Sequence, residues 1–107
     1  MNNKLYSMLG ICRKSGNLFI GSFRVEKSIN DSKSYLVIIS CDASNNTKEK
    51  FINLCKTKNV PYLLIGNKEL IGKSIGKNDV AVVSIADVHL SNKIINLAKE
   101  VLTGGGE

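Results

Sequence analysis

Apolar and polar positions come in blocks along this chain, and the period changes from block to block. Leu5, Met8, Leu9 and Cys12 recur at intervals of three and four, the spacing of one helix face, and Ser15-Gly16 supplies the stop. Leu18-Phe19-Ile20 reads as a short strand. Gly21-Ser22 then opens a second helix, with Val25 and Ile29 inward and Arg24 and Lys27 outward, before the polar turn Asp31-Ser32-Lys33-Ser34. "YLVIIS" at 35–40 is continuously apolar, as a strand buried on both faces would be. "CDASNNT" delivers a third helix. Asn46 and Glu49 are spaced for a capping box there, and Phe51, Ile52 and Cys55 give the inward stripe. After Pro61, "YLLI" at 62–65 predicts a third buried strand. A short helix follows, with Leu70, Ile71 and Ile75 as its apolar face, then the loop Gly76-Lys77-Asn78-Asp79 and a fourth strand, "VAVVSI", at 80–85. Asp87 is placed to cap a last helix in which Leu90, Ile94, Leu97, Ala98 and Val101 recur at three and four.

Helices alternating with buried strands predict an α/β fold, a three-layer α/β/α sandwich with a central four-stranded mixed sheet. At 107 residues there is room for one core, so residues 1–102 are expected to be a single domain and 103–107 a flexible tail. With 43% hydrophobic and 22% charged residues the composition is that of a folded chain. No apolar run approaches the roughly 18 residues of a membrane span. The apolar patch from Leu5 to Cys12 precedes Arg13-Lys14, the reverse of a secretory signal. Three widely spaced cysteines and one histidine, with no Cys-x-x-Cys pair, argue against a zinc site. Cys12, Cys41 and Cys55 each lie in an apolar pattern and are expected to be reduced core or half-core thiols of a cytoplasmic protein.

One stretch imitates a nucleotide site. In "YLLIGNKELIGKS", residues 62–74, a strand, a glycine and Gly72-Lys73-Ser74 follow one another as in a P-loop. That motif needs four residues between its first glycine and Gly-Lys-Ser. Five separate Gly66 from Gly72, and the motif's first glycine would fall on Asn67. Leu70 and Ile71 are also too large for a loop whose backbone N–H groups must cradle phosphate. The segment is instead a turn and a short amphipathic helix with a basic outer side. No catalytic constellation, metal site or cofactor site emerges, and His89 reads as a solvent-facing helix-start residue.

Net charge is +6, from 15 Lys and Arg against 9 Asp and Glu. An excess of this size suits a polyanion such as nucleic acid, or an ordinary solvated surface. "RKSGNLFIGSFRVEKSI", residues 13–29, is the most suggestive segment. Gly21 stands where a strand becomes a helix, a place where free N–H groups meet the positive dipole end and no side chain blocks a phosphate. Ser22 adds a hydroxyl, and Arg24 and Lys27 share a face. Phe23 is either a base-stacking platform or a core residue of this helix.

"LGICRKSGNLFIG" with its basic helix, "LVIISCDAS-NNTKEKF", and "VPYLLIGNKELIGKSIGK" before a strand come in the order and close to the spacing of one family. Over about residues 4–100 the chain resembles the ribosomal protein L7Ae/L30e family, small bacterial members above all. The resemblance implies a sandwich that binds RNA, ribosomal or ribosome-associated, with structured, kink-turn-like RNA as the target. No DNA, membrane or cofactor is implied; ribosomal proteins are possible partners. A protein-interaction or scaffold module of the same fold is the alternative. In kink-turn binders the helix-opening glycine is followed by one residue, then Asn-Glu, then a lysine three further on. Gly21 and Lys27 match the glycine and the lysine, but Phe23 and Arg24 occupy the Asn-Glu places. Phenylalanine can only stack, and arginine cannot accept a hydrogen bond; Arg24 suits a phosphate or a guanine edge. The resemblance also points to the loops on either side of the last strand: Gly76, Lys77, Asn78 and Asp79 before it, and Ala86, Asp87 and Val88 after it. Arg13, Lys14, Arg24, Lys27, Lys73 and Lys77 are the expected phosphate contacts. Asp42, at a strand end, is expected to accept backbone N–H bonds within its loop.

Overall fold

The structure is a computed structural model and describes residues 3–102. The expected tail at 103–107 and the side chain of Val101 lie outside the described residues. Among the described residues nine elements follow one another: α1 (Asn3–Lys14), β1 (Leu18–Ile20), α2 (Ser22–Asn30), β2 (Leu36–Ile39), α3 (Asn45–Lys58), β3 (Tyr62–Leu64), α4 (Lys68–Ser74), β4 (Val82–Ile85) and α5 (Val88–Leu102). The four strands form one sheet in the order β1-β4-β2-β3. β4 runs antiparallel to both its neighbours, β1 and β2, while β2 and β3 are parallel, so the sheet is mixed.

Side chains alternate across each strand and divide the core in two. Leu36 and Ile38 of β2, with Val83 and Ile85 of β4, meet Leu5, Leu9 and Cys12 of α1, Ile71 of α4 and Ile75 at its C-cap, and Ile94 and Ala98 of α5. On the other face Val37, Ile39 and Val82 meet Val25 and Ile29 of α2 and Phe51 and Cys55 of α3. β2 and β4, central in the sheet, are buried throughout, which is why their sequences are continuously apolar. One polar position is admitted: Ser84 of β4 donates to Ser34 (2.6 Å) and receives Ser28 (3.1 Å), which also bonds the Val25 carbonyl (2.7 Å). The hydroxyls of Ser28, Ser84 and Ser34 thus all have partners.

The sequence reading needs correction at four places. β3 is an edge strand and only half-buried, with Leu64 38% exposed, because among the described residues no strand pairs beyond it. Leu70 is 39% exposed, so α4 packs through Ile71, with Ile75 buried just past its end. Cys41 is exposed, just past the end of β2, whereas Cys12 and Cys55 are buried. The start of α3 is capped by Ser44, whose Oγ accepts the Thr47 N–H at 3.1 Å; Asn46 already lies inside the helix and makes no capping box.

Candidate nucleic-acid interface

Strand directions decide which loops can meet. β1, β2 and β3 point the same way and β4 the opposite way. One end of the sheet therefore collects Gly21 after β1, Asp42 after β2, Asn67 after β3 and the Gly76–Asp79 loop before β4. Backbone bonds mark it: Gly21 N–H to the Val82 carbonyl (3.1 Å) and Ser40 N–H to the Ala81 carbonyl (2.9 Å). Ala86, Asp87 and Val88 follow β4 and lie at the other end, where the Ala86 N–H donates to the Asn17 carbonyl (2.9 Å). Of the residues singled out from sequence, these three are not brought near Gly21. Asp87 caps α5 by accepting the Leu90 N–H at 2.7 Å, Ala86 is half-buried and Val88 is exposed.

At the Gly21 end the chain turns sharply. Gly21 has φ 92° and ψ 161°, a conformation that side chains disfavour, and space around its absent Cβ is open. It is the N-cap of α2 but offers no side-chain cap. By contrast Ser44, Asn67 and Asp87 each accept an N–H in the first turn of α3, α4 and α5. The first turn of α2 keeps its N–H groups and its positive dipole end without such an acceptor. Ser22, Phe23 and Arg24 form that turn, all exposed, and Phe23 is 81% exposed.

Beside this turn lies a cleft of about 350 Å³ lined by Arg13, Leu18, Ile20, Arg24 and Lys77. Three cations from the end of α1, the start of α2 and the loop before β4 share it, and no carboxylate lines it. Arg13 is held in place by donating Nη1 to the Ile75 carbonyl at the end of α4, and a Cβ on Gly76 (φ 72°) would come within 3.0 Å of that same Nη1. Lys77 is positioned by its own N–H, which donates to the Gly72 carbonyl at 2.8 Å. Lys14, Lys73 and Asn78 are exposed but do not line the cleft.

A second cavity, about 320 Å³, runs along α2, bounded by Phe19, Phe23, Arg24, Lys27, Ser28, Asp31 and Lys33. Lys27 Nζ lies 2.8 Å from Asp31 Oδ2. Their hydrogen bond raises the Lys27 pKa and lowers that of Asp31. An exposed pair of this kind contributes little, so Lys27 is free to exchange its partner for a phosphate. Phe19, Asp31 and Lys33 carry no motif and were not singled out from sequence. The alternation along β1 places Phe19 on the α2 side, a signal that could have found it. Asp42 accepts the Lys68 N–H at 2.9 Å and so ties the β2 and β3 ends together. Desolvation raises its carboxyl, but hydrogen bonds led by that of Lys68 leave its pKa below the usual value. Among the described residues no group of three or more His, Cys, Asp or Glu is placed to hold a metal, and no helix is long and apolar enough to cross a membrane.

Fold and surface together define a class: an α/β/α sandwich whose edge strand is flanked by a cationic cleft and whose second helix begins uncapped, with an exposed aromatic. The model of the ribosomal protein L7Ae/L30e/S12e/Gadd45 family matches residues 3–95, and the chain belongs to that family. It is 33% identical over 92 residues to the RNA-binding protein YlxQ of Bacillus subtilis (strain 168), covering 86% of this chain and 92% of that protein. It is 31% identical over 88 residues to the large ribosomal subunit protein eL8 of Thermoplasma volcanium, covering 81% and 73%. A solved structure of a Bacillus halodurans protein of unknown function superposes with a TM-score of 0.89 at 31% identity, covering 92% of this chain and all of that one. A Giardia lamblia 15.5kD RNA binding protein shares the fold, with a TM-score of 0.76 at 23% identity over 92% and 91% of the two chains.

Proposed function

We propose that this chain is a non-catalytic RNA-binding protein, ribosomal or ribosome-associated, that grips structured RNA at the Gly21 end of its sheet. The convergence of Arg13, Arg24 and Lys77 in one cleft free of carboxylates carries the reading. Such a cluster is costly in self-repulsion unless a polyanion neutralises it. The uncapped start of α2 supplies N–H donors for a phosphate at the same place. The names of the bacterial and archaeal relatives support RNA as the polyanion and the ribosome as its setting. Kink-turn geometry is the structured target the family resemblance favours. With Phe23 and Arg24 in place of Asn-Glu, its purine edges would be read less specifically than its backbone is held.

Binding measured against salt tests this. Each phosphate neutralised steepens the fall of log K with log salt by about 0.7 to 0.9, so the wild type should show a slope that loses about one unit in each of Arg13→Ala and Lys77→Ala. If neither a kink-turn RNA nor any other structured or single-stranded RNA binds more tightly than about 10 μM at low salt, within the non-specific range, the reading fails. Co-sedimentation with ribosomal particles in a gradient tests the setting independently.

A further inference from the structure

The cleft and the cavity lie on opposite sides of the same strand. Leu18 and Ile20 point toward α1 and line the cleft; Phe19 points toward α2 and α3 and lines the cavity. Among the described residues β1 is an edge strand, paired only with β4, so its outer margin is open. Arg24 borders both concavities. One side is cationic, and the other is walled by two phenylalanines, one of them almost fully exposed. A phosphate fits the first and a flat apolar ring the second.

Resting on the RNA reading above, we propose that the β1 edge is a clamp for one unpaired nucleotide, its phosphate in the Arg13–Arg24–Lys77 cleft and its base on Phe23 in the adjoining cavity. A nucleotide in a continuous duplex cannot be the occupant, because its base faces are taken up by stacking and only an unstacked base can lie on an aromatic side chain. Aromatic stacking tolerates every base, because each has a π-face. The polar rim of the cavity, the Lys27–Asp31 pair and Lys33, offers donors and acceptors to the base edge. The clamp therefore selects for an extrahelical or loop position more than for a sequence. This differs from reading sheared purine pairs through Asn and Glu side chains, for which α2 has no residues at the matching places.

The test uses the full chain and three hairpin RNAs of one stem sequence, each closed by a non-nucleotide linker so that no loop base is unpaired: one with a single extrahelical adenosine, one with an abasic sugar at that position, and one fully paired. The bulged hairpin should bind about 5- to 150-fold more tightly than the other two, the range of one stacked base. Phe23→Ala should erase that difference, and Phe23→Trp should keep it. Phe23 is too exposed for either change to unfold the chain. Lys77→Ala should weaken all three hairpins alike. Equal wild-type affinity for the three hairpins, or a loss in Phe23→Ala that is the same for all three, overturns the clamp and leaves RNA binding intact. Failure of all three hairpins, and of every other RNA tried, overturns RNA binding itself.

Discussion

Gly72→Ala gives two opposite expectations, and the structure chooses between them. In the middle of α4 an alanine should stabilise by about 1 kcal/mol through helix propensity. The packing says otherwise. A Cβ built on Gly72 falls 1.3 Å from the Asn78 carbonyl oxygen, 2.5 Å from its carbon and 3.2 Å from the Lys77 oxygen. All three are backbone atoms, so no side chain can rotate away. The loop is also tied to this helix, by Lys77 N–H on the Gly72 carbonyl (2.8 Å) and Gly76 N–H on the Lys73 carbonyl (3.3 Å). Relief requires lifting the loop and losing at least the first of these bonds. Overpacking of this kind costs about 1 to 3 kcal/mol and occasionally more, and a lost net hydrogen bond about 1 kcal/mol. Together they outweigh the propensity gain. We expect a net loss of at least about 1 kcal/mol, seen as a fall in melting temperature of about 4 to 8 °C for a domain of this size. Urea unfolding followed by circular dichroism measures it, with Lys73→Ala as the control on the same helix. The displaced loop carries Lys77, so RNA affinity should fall in Gly72→Ala as well. A Gly72→Ala protein as stable as the wild type or more so would refute the reasoning, because helix propensity would then be the larger effect.

Three further outcomes can be checked. Gly21→Val should leave the protein folded but abolish RNA binding; the residue has open space yet sits at φ 92°, so the cost is backbone strain of about 1 to 3 kcal/mol, and unchanged binding would move the site elsewhere. Ser44→Ala should cost about 1 kcal/mol in urea unfolding, while Asn46→Ala should change stability by no more than about 0.5 kcal/mol; the reverse order would restore the capping box. A thiol reagent should label Cys41 quickly and leave Cys12 and Cys55 untouched, since burial pushes both thiols up to about 11. The same two thiols, ordinary at 9.0 when unfolded, contribute stability that is whole below pH 9 and lost as pH rises toward 11; titration with circular dichroism reads it.

The order of elements was legible because each announces itself locally. β2 stands out as a continuous apolar run and β4 as one broken only by Ser84, while α1 and α5 repeat at three and four. What failed depended on neighbours the local pattern does not name. "YLLI" looks as buried as "YLVIIS", yet the sheet order leaves β3 at an edge and β2 inside. Ser44 and Asn46 are both good cap residues; the choice falls on Ser44 because its hydroxyl reaches the Thr47 N–H and the helix starts one residue later. Gly72, in the stretch that imitates a P-loop, is glycine because the Lys77-Asn78 backbone crosses it, not because a phosphate approaches.

The candidate site was half legible for the same reason. "GSFR" marks a strand-to-helix turn in plain sequence, and its glycine and cation are where a local reading puts them; the sequence left Phe23 between core and surface, and the fold exposes it. The partners are not local. Arg13 precedes β1, and Lys77 precedes β4, 64 residues later in the chain. They share a cleft only because β4 inserts between β1 and β2 and runs backwards, which brings the loop before β4 to the end of β1 where α2 begins. The same reversal sends the loop after β4 to the opposite end and removes Ala86, Asp87 and Val88 from any surface that includes Gly21. Had β4 run parallel to β1, the two loops would have exchanged ends and Lys77 would have lost its place beside Arg24. Basic residues scattered over three segments thus come to line one cleft through a single topological fact, the antiparallel insertion of β4. The most direct check on that site is the coupling between Arg24 and Lys77. Two cations that touch one phosphate should lose less affinity in the double alanine variant than the two single losses combined, whereas cations on separate phosphates should lose independently.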